Sequence, residues 1–119
     1  MKKIELGKKG EELATRLLEE KGYHILERNW RWGKEEIDII ARDGNFLVIV
    51  EVKTRSSGDY ASPESSVTKI KQRTLIRAAN AYCRYKGHQG EVRFDIISII
   101  IGPDGEEINH IDDAFYATL

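Results

Sequence analysis

Between Phe46 and Lys53 the chain reads Phe-Leu-Val-Ile-Val-Glu-Val-Lys. A run of apolar, mostly β-branched residues of this length predicts a strand buried on both faces. Around it the pattern is amphipathic. Leu6, Gly10, Leu13, Ala14, Leu17 and Leu18 fall on one stripe at helical spacing and predict a helix from about Ile4 to Lys21, stopped by Gly22. Tyr23 to Trp30 predicts a strand. Glu36 to Arg42 predicts another, with Ile37, Ile39 and Ala41 alternating against Glu36, Asp38 and Ile40. Asp43-Gly44 is a hairpin signal that leads straight into Phe46–Lys53. The polar run Thr54 to Ser66, with Gly58 and Pro63, reads as a loop. Val67, Lys71, Leu75, Ala78, Ala79 and Tyr82 mark a second helix, from about Val67 to Lys86, ended by Gly87. Glu91 to Ile101 is a further apolar strand, Gly102-Pro103-Asp104-Gly105 a turn, and Glu107 to Ile111 a short last strand. The order is αβββαββ. The hairpin makes its two strands antiparallel, and the helical crossover lets the next strand run parallel to Phe46–Lys53. The fold class expected is α/β, a mixed sheet flanked by helices.

Composition narrows this picture. The 119 residues suit one domain, 1–119, large enough for a core without staples. One cysteine, Cys83, excludes an internal disulfide, and no Cys/His group has zinc spacing. No apolar signal segment follows Met1-Lys2-Lys3-Ile4-Glu5 and no run approaches a membrane span, so a cytoplasmic location is expected. A net charge of −1 excludes a strongly basic, histone-like binder. The charge is unevenly spread, however. Residues 52–93 hold nine Lys/Arg against three acids, a net +6, which leaves −7 elsewhere. Such a segment fits a phosphate-binding face or, as with most charge runs, a solvated helix surface.

The candidate chemistry lies at the end of the buried strand. Glu51 and Lys53 are two apart, so they share a face, and charged groups there need partners or an ion. A two-residue turn at Asp43-Gly44 would pair Arg42 with Asn45, put Asp38 opposite Ile49 and Glu36 opposite Glu51, and leave Asp38 diagonal to Glu51 on one face. Two or three carboxylates would then converge beside Lys53. Hard divalent cations neutralise such clusters through oxygen ligands, with Mg²⁺ often held by one or two carboxylates plus phosphates and water. The plainer alternative is a surface Glu51–Lys53 ion pair with Asp38 paired elsewhere. Glu11 borders the apolar stripe of the first helix, where it either reaches the sheet or is an acid favoured by the helix N-terminus. Lys71, inside the second stripe, either snorkels outward or caps the site. Arg55, Lys69, Gln72 and Arg73 could line a phosphate path. Asp95, in an apolar strand, calls for a buried structural partner, and His24, His88 and His110 read as structural. Ser65, Ser66 and Cys83 have no companion base. Trp30 and Trp32, flanking Arg31, either stack on bases or pack, with packing expected for at least one.

These motifs together resemble a known family. Gly10-Glu11, Glu36-Ile37-Asp38-Ile39-Ile40-Ala41, Val50-Glu51-Val52-Lys53-Thr54-Arg55, Val67, Lys71, Arg73, Arg93-Phe94-Asp95, Ile108-Asn109-His110-Ile111 and Ala114-Phe115 are similar to the YraN family of uncharacterised bacterial proteins over nearly the whole chain. That family is similar to the PD-(D/E)xK nucleases, and among them to archaeal Holliday junction resolvases. The resemblance implies a restriction-endonuclease-like fold and hydrolysis of DNA phosphodiester bonds, in branched or repair-intermediate DNA, with Mg²⁺ or Mn²⁺. It implies Asp38, Glu51 and Glu11 as metal ligands and Lys53 as the catalytic lysine beside them. Arg55, Lys69, Lys71, Gln72 and Arg73 would bind nucleic acid, and a homodimer would supply the two sites that junction cutting needs. Ile37 stands where the superfamily has proline, Glu35 where glycine is expected, and Asp113 where asparagine is expected. The alternative is a non-catalytic DNA-binding or protein-interaction module that keeps the nuclease-like fold.

Overall fold

The predicted periodicities fold into one five-stranded sheet with a helix on each face. The computed structural model describes residues 2–58 and 67–116. Its elements are α1 (Lys3–Glu20), β1 (His24–Trp32), β2 (Glu35–Asp43), β3 (Phe46–Ser56), α2 (Lys69–Lys86), β4 (Val92–Gly102) and β5 (Gly105–Phe115). The strands lie side by side in chain order, and β3 and β4 are parallel while the other pairs are antiparallel. This is the expected αβββαββ order and mixed sheet.

β3 is the central strand, and its two faces supply two cores. Val48 and Val50 pack under α1 with Ala14, Leu18, Ile97 and Ile99. Leu47 and Ile49 pack under α2 with Leu75, Ala78, Ala79 and Tyr82. β3 reaches Ser56, three residues into the predicted loop, because β4 keeps pairing with it as far as Ser56↔Ile101. Residues 59–66, with Pro63, Ser65 and Ser66, lie outside the described residues. The last strand is not short: it spans Gly105–Phe115, since β4 offers it a full-length edge. α2 begins at Lys69, where the Thr68 hydroxyl accepts the Lys71 N–H at 3.2 Å.

Two departures from the expected strand geometry shape the site. The hairpin loop is Gly44-Asn45 rather than Asp43-Gly44, so Asp43 pairs with Phe46 and Ile39 with Val50. Gly44, at φ +59, takes the left-handed conformation at the first loop position, where glycine carries no Cβ penalty. The pairing is thereby displaced by two residues, an even number, so the paired side chains from Ile39 to Asp43 keep their expected faces. Arg42 faces Leu47, not Asn45, and Glu36 is not opposite Glu51, because the β2–β3 ladder ends at Ile39↔Val50.

The second departure is a break in alternation. Ile37 belongs to the α2 core, whereas Ile39 and Ala41 belong to the α1 core. The neighbouring strand breaks at the same level: Arg28 reaches Glu12 on α1, and Trp30 stands edge-on to Tyr82 on α2 at 5.1 Å. Between them Asn29 has φ +53, a left-handed conformation that rotates the strand. Asn29 and Asp38 therefore sit at a twist where side chains leave both regular faces.

Asp95 has the buried partners expected of it. It is fully buried and bonded by Arg93 Nε at 2.9 Å, His110 Nε2 at 2.7 Å and the Asp113 N–H at 3.1 Å. Asp113 holds φ +50, a conformation that asparagine or aspartate tolerates. Arg93 also donates to Asp43 at the hairpin tip and to the Tyr23 hydroxyl.

Candidate functional site

The site is built at the twist, where β2 and β3 part. Beyond Ile39↔Val50 the Val52 N–H has lost its ladder partner, and the Asp38 carboxylate takes that place, accepting it at 2.8 Å. Asp38 is thus tied to β3 directly beside Glu51. Burial pushes the Asp38 carboxyl up to about 8, reinforced by its hydrogen bond with Glu51 and by the Glu51 charge; the Val52 N–H and Lys71 work the other way.

Glu51 is only 6% exposed. Lys71 approaches its Oε2 at 3.5 Å from the first turn of α2, so Lys71 caps the site rather than snorkelling away. That contact is coulombic. The same oxygen is buried and receives no hydrogen bond among the described residues. A buried carboxylate oxygen without a donor is costly, and it suits an ion or a donor from a ligand.

On its other side Asp38 meets α1. Gly10 lies so close to β3 that a Cβ there would stand 1.8 Å from Thr54 Oγ1. This contact brings the next residue, Glu11, against the sheet. One ligand oxygen each of Glu11, Glu36 and Asp38 lies within 4.8 Å of the others. The Asn29 amide, with its nitrogen turned toward the acids, donates to Glu11 Oε1 at 2.7 Å and to Glu36 Oε1 at 2.9 Å. Burial raises the Glu11 carboxyl, with Asp38 and Glu36 adding to it and Arg28 opposing. Asp38 is therefore a hinge between two acidic groups, Glu51 toward α2 and Glu11 with Glu36 toward α1.

A cleft of about 760 Å³ opens over this centre, lined by Lys3, Glu11, Glu36, Asp38, Lys53 and Arg55, among others. Asp38, Glu11, Lys53 and Arg55 thus line one cleft; Glu51 does not line it and is joined to it through Asp38. Lys69 and Arg73 do not line the cleft; both are exposed on α2. Gln72 is turned to its own helix start, donating to the Val67 carbonyl at 3.2 Å. Trp30 is a packing residue, whereas Trp32 is partly exposed. Asn29 was missed from the sequence, although an asparagine interrupting a strand pattern is a signal for left-handed backbone. Glu36 was placed opposite Glu51 and instead stands with Glu11.

The fold is that of an α/β protein with a five-stranded mixed sheet and a helix on each face, consistent with the restriction-endonuclease-like architecture expected. Comparison with known proteins gives the family. A model of the uncharacterised protein family UPF0102 matches residues 10–99, and the chain belongs to that family, the YraN family. It is 51% identical over 116 residues to a UPF0102 protein of Bacteroides thetaiotaomicron, covering 97% of this chain and 95% of the relative. It is 49% identical over 116 residues to one of Flavobacterium johnsoniae, covering 94% of each. A relative from Thermodesulfovibrio yellowstonii is 48% identical over 116 residues, covering 98% of this chain and all of its own. No helix among the described residues is long and apolar enough to cross a membrane.

Proposed function

We propose that the protein is a divalent-metal-dependent endonuclease that hydrolyses phosphodiester bonds in DNA. The observation that carries this reading is the buried Asp38–Glu51 pair, in which one Glu51 oxygen accepts no hydrogen bond among the described residues and Asp38 opens onto a cleft lined also by Glu11 and Lys53. The donors are all carboxylate oxygens, which suits Mg²⁺ or Mn²⁺. Asp38 and Glu51 would hold the ion, with Glu11 as a further ligand. When bound, such a cation supplies Lewis acidity toward a phosphoryl oxygen and lowers the pKa of water. The chain's own part is positional. Val52 fixes Asp38 through its N–H, Gly10 lets Glu11 approach, and Lys71 offsets the Glu51 charge. Lys53, an ammonium lining the same cleft, can orient a water or a phosphate oxygen and stabilise charge as it develops.

The test is incubation of the protein with labelled duplex, single-stranded and four-way-junction DNA in Mg²⁺ or Mn²⁺. Cleavage by the unaltered chain, lost in Asp38→Asn, Glu51→Gln and Lys53→Ala, is expected. No cleavage of any substrate, or equal cleavage by the variants, would overturn the reading. One observation favours a second reading, a non-catalytic DNA-binding module: Lys71 already gives Glu51 a cationic neighbour. That module would bind DNA without metal and equally well in all three variants.

A further inference from the structure

α2 carries six Lys/Arg and no acid over Lys69–Lys86. Lys71 turns in to Glu51, and Lys86 contacts Glu27 at 3.7 Å. The other four, Lys69, Arg73, Arg77 and Arg84, are exposed and make no ion pair among the described residues. Their spacings of four, four and seven residues place them on one stripe of the helix. At about 1.5 Å per residue the stripe is roughly 22 Å long. It begins in the helical turn whose Lys71 touches the acidic centre.

We infer that the outward face of α2 is a track for the phosphodiester backbone of DNA, leading to the acidic centre; this rests on the reading that the centre acts on DNA. A merely solvated helix mixes signs, and α1 does so. α1 has four Lys/Arg and five acids, and its Lys9 and Glu12 pair with Glu106 and Arg28. α2 instead sets like charges four residues apart, which repel one another until an anion neutralises them. The acidic centre repels phosphates, so a substrate reaching it needs cations; Lys53 and Arg55 supply them in the cleft, and this stripe supplies them further along the duplex on the outer side of α2. With about 3.4 Å of axis per phosphate on one strand, 22 Å spans roughly six phosphates. Ile70 and Tyr85, 71% and 70% exposed, stand beside the cations and offer apolar contact to sugars. An anionic membrane is the poorer occupant. The apolar face of α2, with Leu75, Ala78, Ala79 and Tyr82, is spent on the sheet, and Ile70 and Tyr85 alone make too small an apolar surface to hold a helix in a bilayer.

The experiment is fluorescence anisotropy of a labelled DNA duplex with the full chain, in EDTA, across a salt series. The variant Arg73→Gln/Arg77→Gln/Arg84→Gln changes only exposed positions. A charge-matched control, Lys2→Gln/Lys8→Gln/Arg16→Gln, changes three exposed cations of the N-terminal region. Each phosphate contact contributes about 0.9 to the slope of log affinity against log salt. The α2 variant is expected to lose roughly 2 to 3 from that slope, with at least about a tenfold loss of affinity at low salt, while the control loses less than about 1. If the unaltered chain binds DNA and the α2 variant keeps its slope, or the control loses as much, the track is wrong and the hydrolase reading stands. If α2-dependent binding is found but no cleavage, the hydrolase reading fails and the track stands. No DNA binding at low salt, with or without binding to phosphatidylserine vesicles, overturns both.

Discussion

Asp38 completes the β2–β3 pairing with its side chain, and that role sets its titration. Its carboxyl is held near 8 by burial and by Glu51, against an ordinary value of 3.8. A raised folded-state value means that folding favours the protonated form. Stability is therefore fully retained below about pH 4 and falls as pH rises toward 8. Asp38→Asn removes the titration. It should match the unaltered chain near pH 4 and exceed it by at least about 1 kcal/mol at pH 8, as read by urea denaturation in EDTA. Equal pH profiles would show that Asp38 is not forced protonated. Asp95 has the opposite sign. Burial raises it, but His110, Arg93 and the Asp113 N–H outweigh that and bring it below 3.8. Its contribution is present at neutral pH and fades as acid protonates it. Asp95→Ala leaves the half-buried Arg93 without its main partner, so a loss of about 3 kcal/mol is expected at pH 7, shrinking once acid protonates the Asp95 carboxylate of the unaltered chain. At this scale much was legible. Asp38 and Glu51 are neighbours as the sequence suggests, but the Asp38 carboxylate gets there by accepting the Val52 N–H beyond the end of the ladder rather than through the pairing register. The pairing of Glu36 with Glu11 was not legible, because it depends on the left-handed Asn29 backbone, and an asparagine within a strand pattern signals such a turn of the chain without saying which side chains it brings together.

At the scale of elements, the approach of α1 to β3 governs where Glu11 lies. Gly10 and Thr54 are in contact, and any Cβ at position 10 overlaps the Thr54 side chain, its nearest atom 1.8 Å away. Gly10→Ala must lift the helix or turn the threonine. Helix propensity favours alanine by about 1 kcal/mol, yet overpacking of a tight interface costs about 1–3 kcal/mol, so a net loss is expected. Thr54→Ala deletes the two atoms at 1.8 and 2.9 Å and should recover part of it. Chemical denaturation of both single variants and the double variant gives the coupling; strict additivity would mean that the contact does not hold α1 in place. The helices themselves were legible from their apolar stripes. The break of alternation in β2 was not, since it is imposed jointly with β1 and shows only when Arg28 is seen on one face and Trp30 on the other.

Over the whole molecule, the αβββαββ order was legible because tight turns and one helical crossover leave few ways to arrange five strands. The separation of charge was legible only in outline. The sequence shows a basic middle segment, but only the packing of α2 divides its cations into Lys71, turned to Glu51, and an exposed stripe. The carboxyl groups of Glu11, Glu36, Asp38 and Glu51 repel one another as they ionise, so a cation bound among them would stabilise the native state. A ligand at 100 times its dissociation constant adds about 2.7 kcal/mol, worth several degrees in Tm for a chain of this size. Thermal melts with Mn²⁺ or Mg²⁺ should therefore show a higher Tm than melts in EDTA. The gain should be larger at pH 8 than at pH 6, because the Asp38 proton must leave before the carboxylate can act as a ligand. In Asp38→Asn/Glu51→Gln the gain should vanish. A Tm indifferent to the metal at both pH values, joined by a flat Mn²⁺ calorimetric trace, would mean that the carboxylates are neutralised by protons and Lys71 alone, and the metal-dependent reading would fall with it.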